Sequence, residues 1–168
     1  MFLLFHVALP LLIFEIPNVK QNFSVNRLAL IIGAIISDFI DKPLMFLRWG
    51  SGRGISHSLL FALISTLILL LITQEYKNSE KYGYITISYL IGIIFHIVLD
   101  LPEVPLFYPF ISYDYLYQDN IIEVWLINLF TVPLNLLTEI FGLSVLVFII
   151  IYNKLYSIKA IFKYITNT

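Results

Sequence analysis

Three long apolar runs, at residues 55–73, 82–101 and 134–152, contain very few charged side chains. A helix needs about 20 such residues to cross the hydrocarbon core of a bilayer. Only 12% of the whole chain is charged and 60% is hydrophobic, whereas a soluble domain has about 25% charged residues. The chain is therefore predicted to be an integral membrane protein, and its spanning segments are predicted to be helices because these satisfy every backbone hydrogen bond internally.

Shorter apolar runs complete the pattern. Residues 2–14 and 28–40 precede the three long runs, and residues 121–132 lead into Pro133 and the last run. These lengths predict an all-α, polytopic membrane helix bundle of about 4–5 transmembrane helices, the first two being short spans or a re-entrant hairpin. The whole chain, residues 1–168, is predicted to form a single integral membrane domain.

Ionisable side chains stand near the ends of these runs, in pairs that are three or four residues apart. The pairs are Asp38 with Asp41, Arg53 with His57, and His96 with Asp100, and His6 lies in the first run. Residues at such spacings share one face of a helix, and charged groups at membrane depth cost free energy and usually serve a function. Because successive spans alternate in direction, all these side chains are predicted to converge at one membrane face.

The distribution of basic residues indicates which face this is. The predicted site face carries three of the ten basic residues, and the opposite face carries seven. The three are Lys42, Arg48 and Arg53; the seven are Lys20, Arg27, Lys77, Lys81, Lys154, Lys159 and Lys163. Since basic residues are enriched on the cytoplasmic side, the site is predicted to lie on the extracytoplasmic face of the cell membrane.

The composition of the polar set indicates its chemistry. The chain has no cysteine, so a metal site must use nitrogen and oxygen ligands. Histidine and aspartate together suit a divalent metal, with zinc the first choice and manganese or iron the alternatives. Arg53 has the planar fork that binds phosphate or carboxylate, and the glycines at 50, 52 and 54 would let backbone N–H groups approach an anion. A net charge of −1 gives no indication of a nucleic-acid partner.

At these residues the chain resembles a known family, the membrane-bound metal-dependent hydrolases, which include a LexA-regulated inner-membrane member. The family motifs are an N-terminal histidine, a proline–aspartate pair ending the second apolar run, Arg-Gly-x-Ser/Thr-His-Ser/Thr, and His-x-x-x-Asp. The matching segments are His6, SDFIDKPL at 37–44, RGISHSLLF at 53–61 and HIVLDL at 96–101. The resemblance covers about residues 1–110. It departs from the family at Ser37, where relatives have proline, and in the three-residue spacing of Asp38 and Asp41, where many members have Asp-x-Asp.

The resemblance implies a membrane-embedded hydrolase of an ester or phosphoester, with membrane lipids as its surroundings and a lipid, a lipid-linked compound or a small molecule as its substrate. The implied metal ligands are His6, Asp38, His57, His96 and Asp100. The implied catalytic residues are Asp38, as ligand or base, Asp41, and Arg53 as the anion-binding group. The alternatives are a transporter, or a membrane protein that binds metal without catalysis, and both would use the same side chains. No oligomeric state is indicated.

Overall fold

The computed structural model describes residues 3–74, 79–113 and 121–166. Within those residues the chain forms eight α-helices and no β-strand, so the all-α prediction is confirmed. The helices are α1 (Leu3–Glu15), α2 (Pro17–Asn22), α3 (Arg27–Phe46), α4 (Leu59–Gln74), α5 (Ser79–Leu99), α6 (Ile121–Thr131), α7 (Pro133–Tyr152) and α8 (Ile158–Thr166), with a 3-10 turn at Ile55–His57 before α4.

The helix α7 coincides with the predicted last span to within one residue. In the part of the chain that the structure describes, it is the one helix that is both long enough and apolar enough to cross a membrane by itself. The helices α1, α4 and α6 and the apolar part of α5 are shorter, and α3 has 20 residues but carries charged side chains. The number of about 4–5 spans therefore stays a prediction.

Two local predictions are wrong, for identifiable reasons. Residues 55–73 do not form one helix, because Ser58 has extended backbone angles and its Oγ accepts a hydrogen bond from Phe61 N at 3.2 Å. This arrangement caps α4, which begins at Leu59. Arg53 lies in the loop before the 3-10 turn, so it does not share a helical face with His57. The helix at the second short run is longer than the predicted residues 28–40, since α3 begins at Arg27 and continues through Pro43 to Phe46.

The helices α3 and α5 cross closely because each has a glycine at the crossing point. A Cβ atom added to Gly33 would lie 2.2 Å from the carbonyl oxygen of Tyr89, and one added to Gly92 would lie 2.3 Å from that of Leu30. Small residues let helix backbones approach in this way in membrane bundles. Ile93 and Ile97 of α5 are buried in the core that this crossing forms.

A second close contact joins α1 to α7. The backbone of α1 at Leu4 and Phe5 packs against Gly142 of α7. One turn earlier on α7, the carboxylate of Glu139 accepts hydrogen bonds from Leu4 N at 3.1 Å and Phe5 N at 3.3 Å. The first amides of a helix have no partner within the helix, so Glu139 satisfies two of them from another helix and thereby fixes the start of α1.

The outer surface of the bundle is apolar. Large side chains point away from the core on both α4 and α7: Leu63 is 67% exposed, Ile68 52%, Leu137 62% and Phe148 51%. Water-soluble proteins rarely expose contiguous apolar patches of this kind. These surfaces are suited to contact with lipid acyl chains.

Candidate metal centre

Four side chains from three segments meet inside the bundle. Asp38 comes from α3, His57 from the 3-10 turn, and His96 from α5, with Asp100 just after the end of α5. All four residues are buried, with no more than 7% exposure. One potential ligand atom from each lies within 4.8 Å of every other such atom in the group.

Hydrogen bonds fix the orientation of both imidazole rings. Nδ1 of His96 lies 2.7 Å from the carbonyl oxygen of Ala34, and Nδ1 of His57 lies 2.8 Å from Oδ2 of Asp41. A carbonyl and a carboxylate only accept hydrogen bonds, so Nδ1 is the protonated nitrogen in each ring. Nε2 of His57 and Nε2 of His96 lie 3.1 Å apart, and when both rings are neutral their lone pairs face each other. Two lone pairs at this distance repel unless a proton or a cation lies between them.

The spacing around this point fits a small divalent ion. Oδ1 of Asp38 is 3.4 Å from Nε2 of His57, and Oδ2 of Asp100 is 3.8 Å from Nε2 of both His57 and His96. Ligands at zinc-type bond lengths in a tetrahedron are separated by about 3.3 Å. Two imidazole nitrogens and two carboxylate oxygens also form a donor set that zinc and related transition metals accept. The residues present thus fit the metal that the sequence implies.

The loop before the 3-10 turn is held against α3 by Asp41 and two serines. Oδ2 of Asp41 accepts a hydrogen bond from Gly54 N at 2.6 Å. Ser37 and Ser56, both fully buried, donate hydrogen bonds to each other's carbonyl oxygens at 2.7 and 2.9 Å. The anion that the glycine-rich loop approaches is thus the carboxylate of Asp41, and this carboxylate also orients His57.

His6 lies beside the four-residue group and contacts one of its members. Its Nε2 is 3.3 Å from Oδ1 of Asp100, and its ring centroid is 4.4 Å from that of His96. The ring is fully buried. His6 therefore contacts the oxygen of Asp100 that faces away from His57 and His96.

Two cations border the carboxylates. Nη2 of Arg53 is 3.6 Å from Oδ1 of Asp100, and Nζ of Lys42 is 3.5 Å from Oδ1 of Asp38. The side chain of Arg53 is 21% exposed and also forms an ion pair with the exposed Glu103. Arg53 therefore connects the buried cluster to the outer surface. Lys42 was not among the predicted site residues. Its position one helical turn after Asp38 places both side chains on one face of α3, and this spacing could have predicted the contact.

Oδ1 of Asp38 is the polar atom of the cluster with unsatisfied hydrogen-bonding capacity. It is buried and has no hydrogen-bond partner among the described residues, and Nε2 of His57 and Nζ of Lys42 lie 3.4 and 3.5 Å away. A buried acceptor in this state is costly. A cation or a water molecule bound at this oxygen would remove that cost. Glu139 is a secondary candidate by sequence, because it stands about one turn into the last predicted span on the side of the motifs, and it contacts the start of α1 instead.

Comparison with known proteins gives one family. The sequence model described as "YdjM inner membrane protein" matches residues 1–164, which is nearly the whole chain. The match extends well beyond the residues that carry the sequence motifs. No curated protein and no solved structure matches this chain.

Proposed function

Because the chain belongs to the YdjM inner membrane protein family, we propose that it is a membrane-embedded, metal-dependent hydrolase of an ester or phosphoester. The observation that carries the proposal is the pair of Nε2 atoms of His57 and His96, 3.1 Å apart, with the carboxylates of Asp38 and Asp100 beside them. His57, His96 and Asp100 bind one divalent ion, zinc in the first place and manganese or iron otherwise, and Asp38 lies beside it.

Three residues hold the ion and a fourth handles the proton. His57, His96 and Asp100 are the ligands, since catalytic sites of this type use three protein ligands and keep one position open. When bound, the ion would polarise the reacting oxygen of the substrate and make water a stronger nucleophile. Asp38 has a free acceptor oxygen at the cluster and takes the proton of the attacking water as general base. Asp41 orients His57, and His6 orients Asp100.

The charges bordering the cluster favour an anionic substrate. Lys42 and Arg53 each contact a carboxylate of the cluster, and their side chains are partly exposed, at 16% and 21%. We assign both groups to substrate binding. The planar fork of Arg53 binds a phosphoryl oxygen pair or a carboxylate bidentately. A phosphoester of a lipid, of a lipid-linked compound or of a small molecule would place its anionic group on Arg53 and its ester bond at the metal. The excess of basic residues on the opposite face supports an extracytoplasmic location for this chemistry.

One observation favours a second candidate function, which is metal binding without turnover. The four potential ligands lie close enough together to complete a tetrahedron on their own, and closed four-ligand sites are typical of structural metals. In that case Asp38 would be a fourth ligand rather than a base. A transporter that uses the same residues remains a further alternative, since polar groups within membrane helices also line transport pathways.

Metal content tests whether the cluster binds an ion, which both the hydrolase and the non-catalytic metal-binding alternative require. The detergent-purified protein would be compared with a His57→Gln/His96→Gln double variant, each made without chelator and then reconstituted with zinc, manganese or iron. We expect about one bound ion in the parent and none in the double variant. A Glu123→Gln variant is the matched control, because it removes a charge from an exposed position on α6. Equal metal content in the parent and the double variant contradicts the site.

Turnover separates the hydrolase from the two alternatives. Metal-loaded protein would be assayed with phosphomonoester, phosphodiester and carboxylate ester substrates, both soluble and lipid-borne. We expect Asp38→Asn to retain the metal and to lose at least 100-fold in kcat, since general bases contribute a factor of about 10²–10⁴. If metal-loaded parent hydrolyses none of these classes, or if Asp38→Asn loses the metal together with all activity, the role of Asp38 as base is refuted.

A further inference from the structure

The last helix, α8, presents three different faces. Residues four apart form stripes along a helix, and in α8 these stripes are Ala160 with Tyr164, Lys159 with Lys163, and Ile158 with Phe162. The first stripe packs against the core formed by α1, α3 and α7. The second is exposed and basic, and the third is exposed and apolar, with Ile158 86% and Phe162 65% accessible.

Contacts from two other helices set the rotation of α8. The hydroxyl of Tyr164 donates a hydrogen bond to Oε1 of Glu15 at 2.8 Å. The guanidinium of Arg27 stacks over the Tyr164 ring at 4.4 Å and also donates to Glu15. Burial and the hydrogen bond to Glu15 raise the pKa of Tyr164, so its hydroxyl remains a hydrogen-bond donor in alkaline as well as neutral solution. The apolar and basic stripes are consequently held in fixed directions.

The position of α8 along the molecule follows from α7. The 20 residues of α7 span about 30 Å, which is the thickness of the hydrocarbon core. The chain then turns through Lys154, which has a φ of 53°, and α8 begins six residues after α7 ends. The short connection keeps α8 at the level where a membrane-spanning helix emerges from the bilayer.

The charged side chains from residue 140 onwards are all basic. Residues 140–168 contain three lysines and no acidic residue. Neither Lys159 nor Lys163 forms an ion pair with another residue that the structure describes, whereas Lys20 and Arg27 nearby share the carboxylate of Glu15. A surface that combines unneutralised lysines with an adjacent exposed apolar stripe is complementary to anionic phospholipids, which offer a negative headgroup above an apolar chain.

We propose that α8 is a lipid-binding helix that lies in the membrane interface at the end of α7, with Ile158 and Phe162 among the acyl chains and with Lys159 and Lys163 on the phosphates of anionic phospholipids. This assignment does not depend on the metal centre. It gives the protein a binding surface for anionic lipid that is separate from the histidine–aspartate cluster.

Spin labels test the placement of the helix. Since the chain has no cysteine, the single substitutions Ile158→Cys, Phe162→Cys and Lys159→Cys each give one labelling position in the full-length protein. In bilayers that contain phosphatidylcholine and phosphatidylglycerol, we expect labels at 158 and 162 to meet dissolved oxygen more than a water-soluble nickel complex, and the label at 159 to show the reverse. Equal exposure of all three labels to the nickel complex overturns the proposal.

Lipid selectivity tests the role of the lysines. The relative association of spin-labelled phosphatidylglycerol and phosphatidylcholine with the reconstituted protein would be measured for the parent and for a Lys159→Gln/Lys163→Gln variant. Each lysine near an anionic surface contributes about a fivefold preference, so the selectivity of a lipid bound at this helix should fall by an order of magnitude in the double variant. An Arg48→Gln variant, which removes an exposed cation at the end of α3, should leave the selectivity unchanged. If the double variant and the parent have the same selectivity, anionic lipid is not the partner of α8.

Discussion

At the scale of single residues, the cluster depends on which nitrogen of each imidazole carries the proton. Ala34 and Asp41 accept a hydrogen bond from Nδ1 of His96 and of His57 respectively. In each ring, the hydrogen bond at Nδ1 directs Nε2 towards the carboxylates of the cluster, Asp38 and Asp100. The backbone carbonyl of Ala34 cannot be changed by substitution, whereas the carboxylate of Asp41 can, and Asp41 is therefore the residue through which the orientation is testable.

Replacing Asp41 by asparagine should weaken metal binding without removing a ligand. The amide has nearly the same shape but no charge, so it makes the His57 ring a poorer donor to a metal ion. Loss of such a partner typically costs a factor of about 10–100 in metal affinity. Competition with a chromophoric chelator would measure the dissociation constant for zinc in Asp41→Asn and in the Glu123→Gln control. An unchanged constant in Asp41→Asn would show that Asp41 does not act through His57.

At the scale of the elements, the crossing of α3 and α5 sets the distance between the ligands. The carbonyl of Ala34 reaches His96 only because Gly33 and Gly92 bring the two backbones together. Both helices, and the pairing of Asp38 with Asp41 and of His96 with Asp100, are predictable from the sequence because apolar length and helical spacing are local properties of the chain. The crossing is not predictable in this way, since which glycines face another helix depends on packing between distant segments.

A methyl group at the crossing should separate the helices, whereas the same change elsewhere on α5 should not. Gly92→Ala would place a Cβ atom against the backbone of α3, and neither backbone can yield as a flexible side chain does. We expect a clear loss of stability, of about 1–3 kcal/mol as for other overpacked cores. Gly83→Ala is the matched control, because nothing lies within 4 Å of its added Cβ and alanine favours the helix. Thermal unfolding in detergent would rank the two; a Gly92→Ala protein as stable as Gly83→Ala would contradict the close crossing.

At the scale of the whole molecule, the polar cluster joins segments that are far apart in the chain. Residues 6, 38, 57, 96 and 100 come together although up to 94 positions separate them. Alternation of apolar runs and the sequence motifs were enough to predict that these residues converge. They were not enough to predict that a 3-10 turn rather than a helix presents His57, because the cap at Ser58 depends on a single side chain. The helix α8 was also not predicted, since its apolar residues divide between two faces and form no continuous hydrophobic run.

Removal of the metal should lower the stability of the entire bundle. An ion held by the 3-10 turn and the end of α5 binds the folded state alone, and at a free concentration 1,000 times its dissociation constant it adds about 4 kcal/mol. A strong chelator should therefore lower the unfolding temperature of the parent by several degrees. In the His57→Gln/His96→Gln variant the chelator should have no effect. An identical fall in both proteins would mean that the chelator acts elsewhere.

The contact between Glu139 and the start of α1 has a consequence for biosynthesis. Leu4 N and the carboxylate that accepts its hydrogen bond are separated by 135 positions. The helix α1 therefore obtains these two acceptors for its opening amides only after α7 has been made. His6 stands one turn into α1, so its final position beside Asp100 depends on the synthesis of α7. A nascent chain inserted as far as Asp100 already contains every residue of the metal centre, yet it lacks Glu139, whose side chain holds the start of the helix that carries His6.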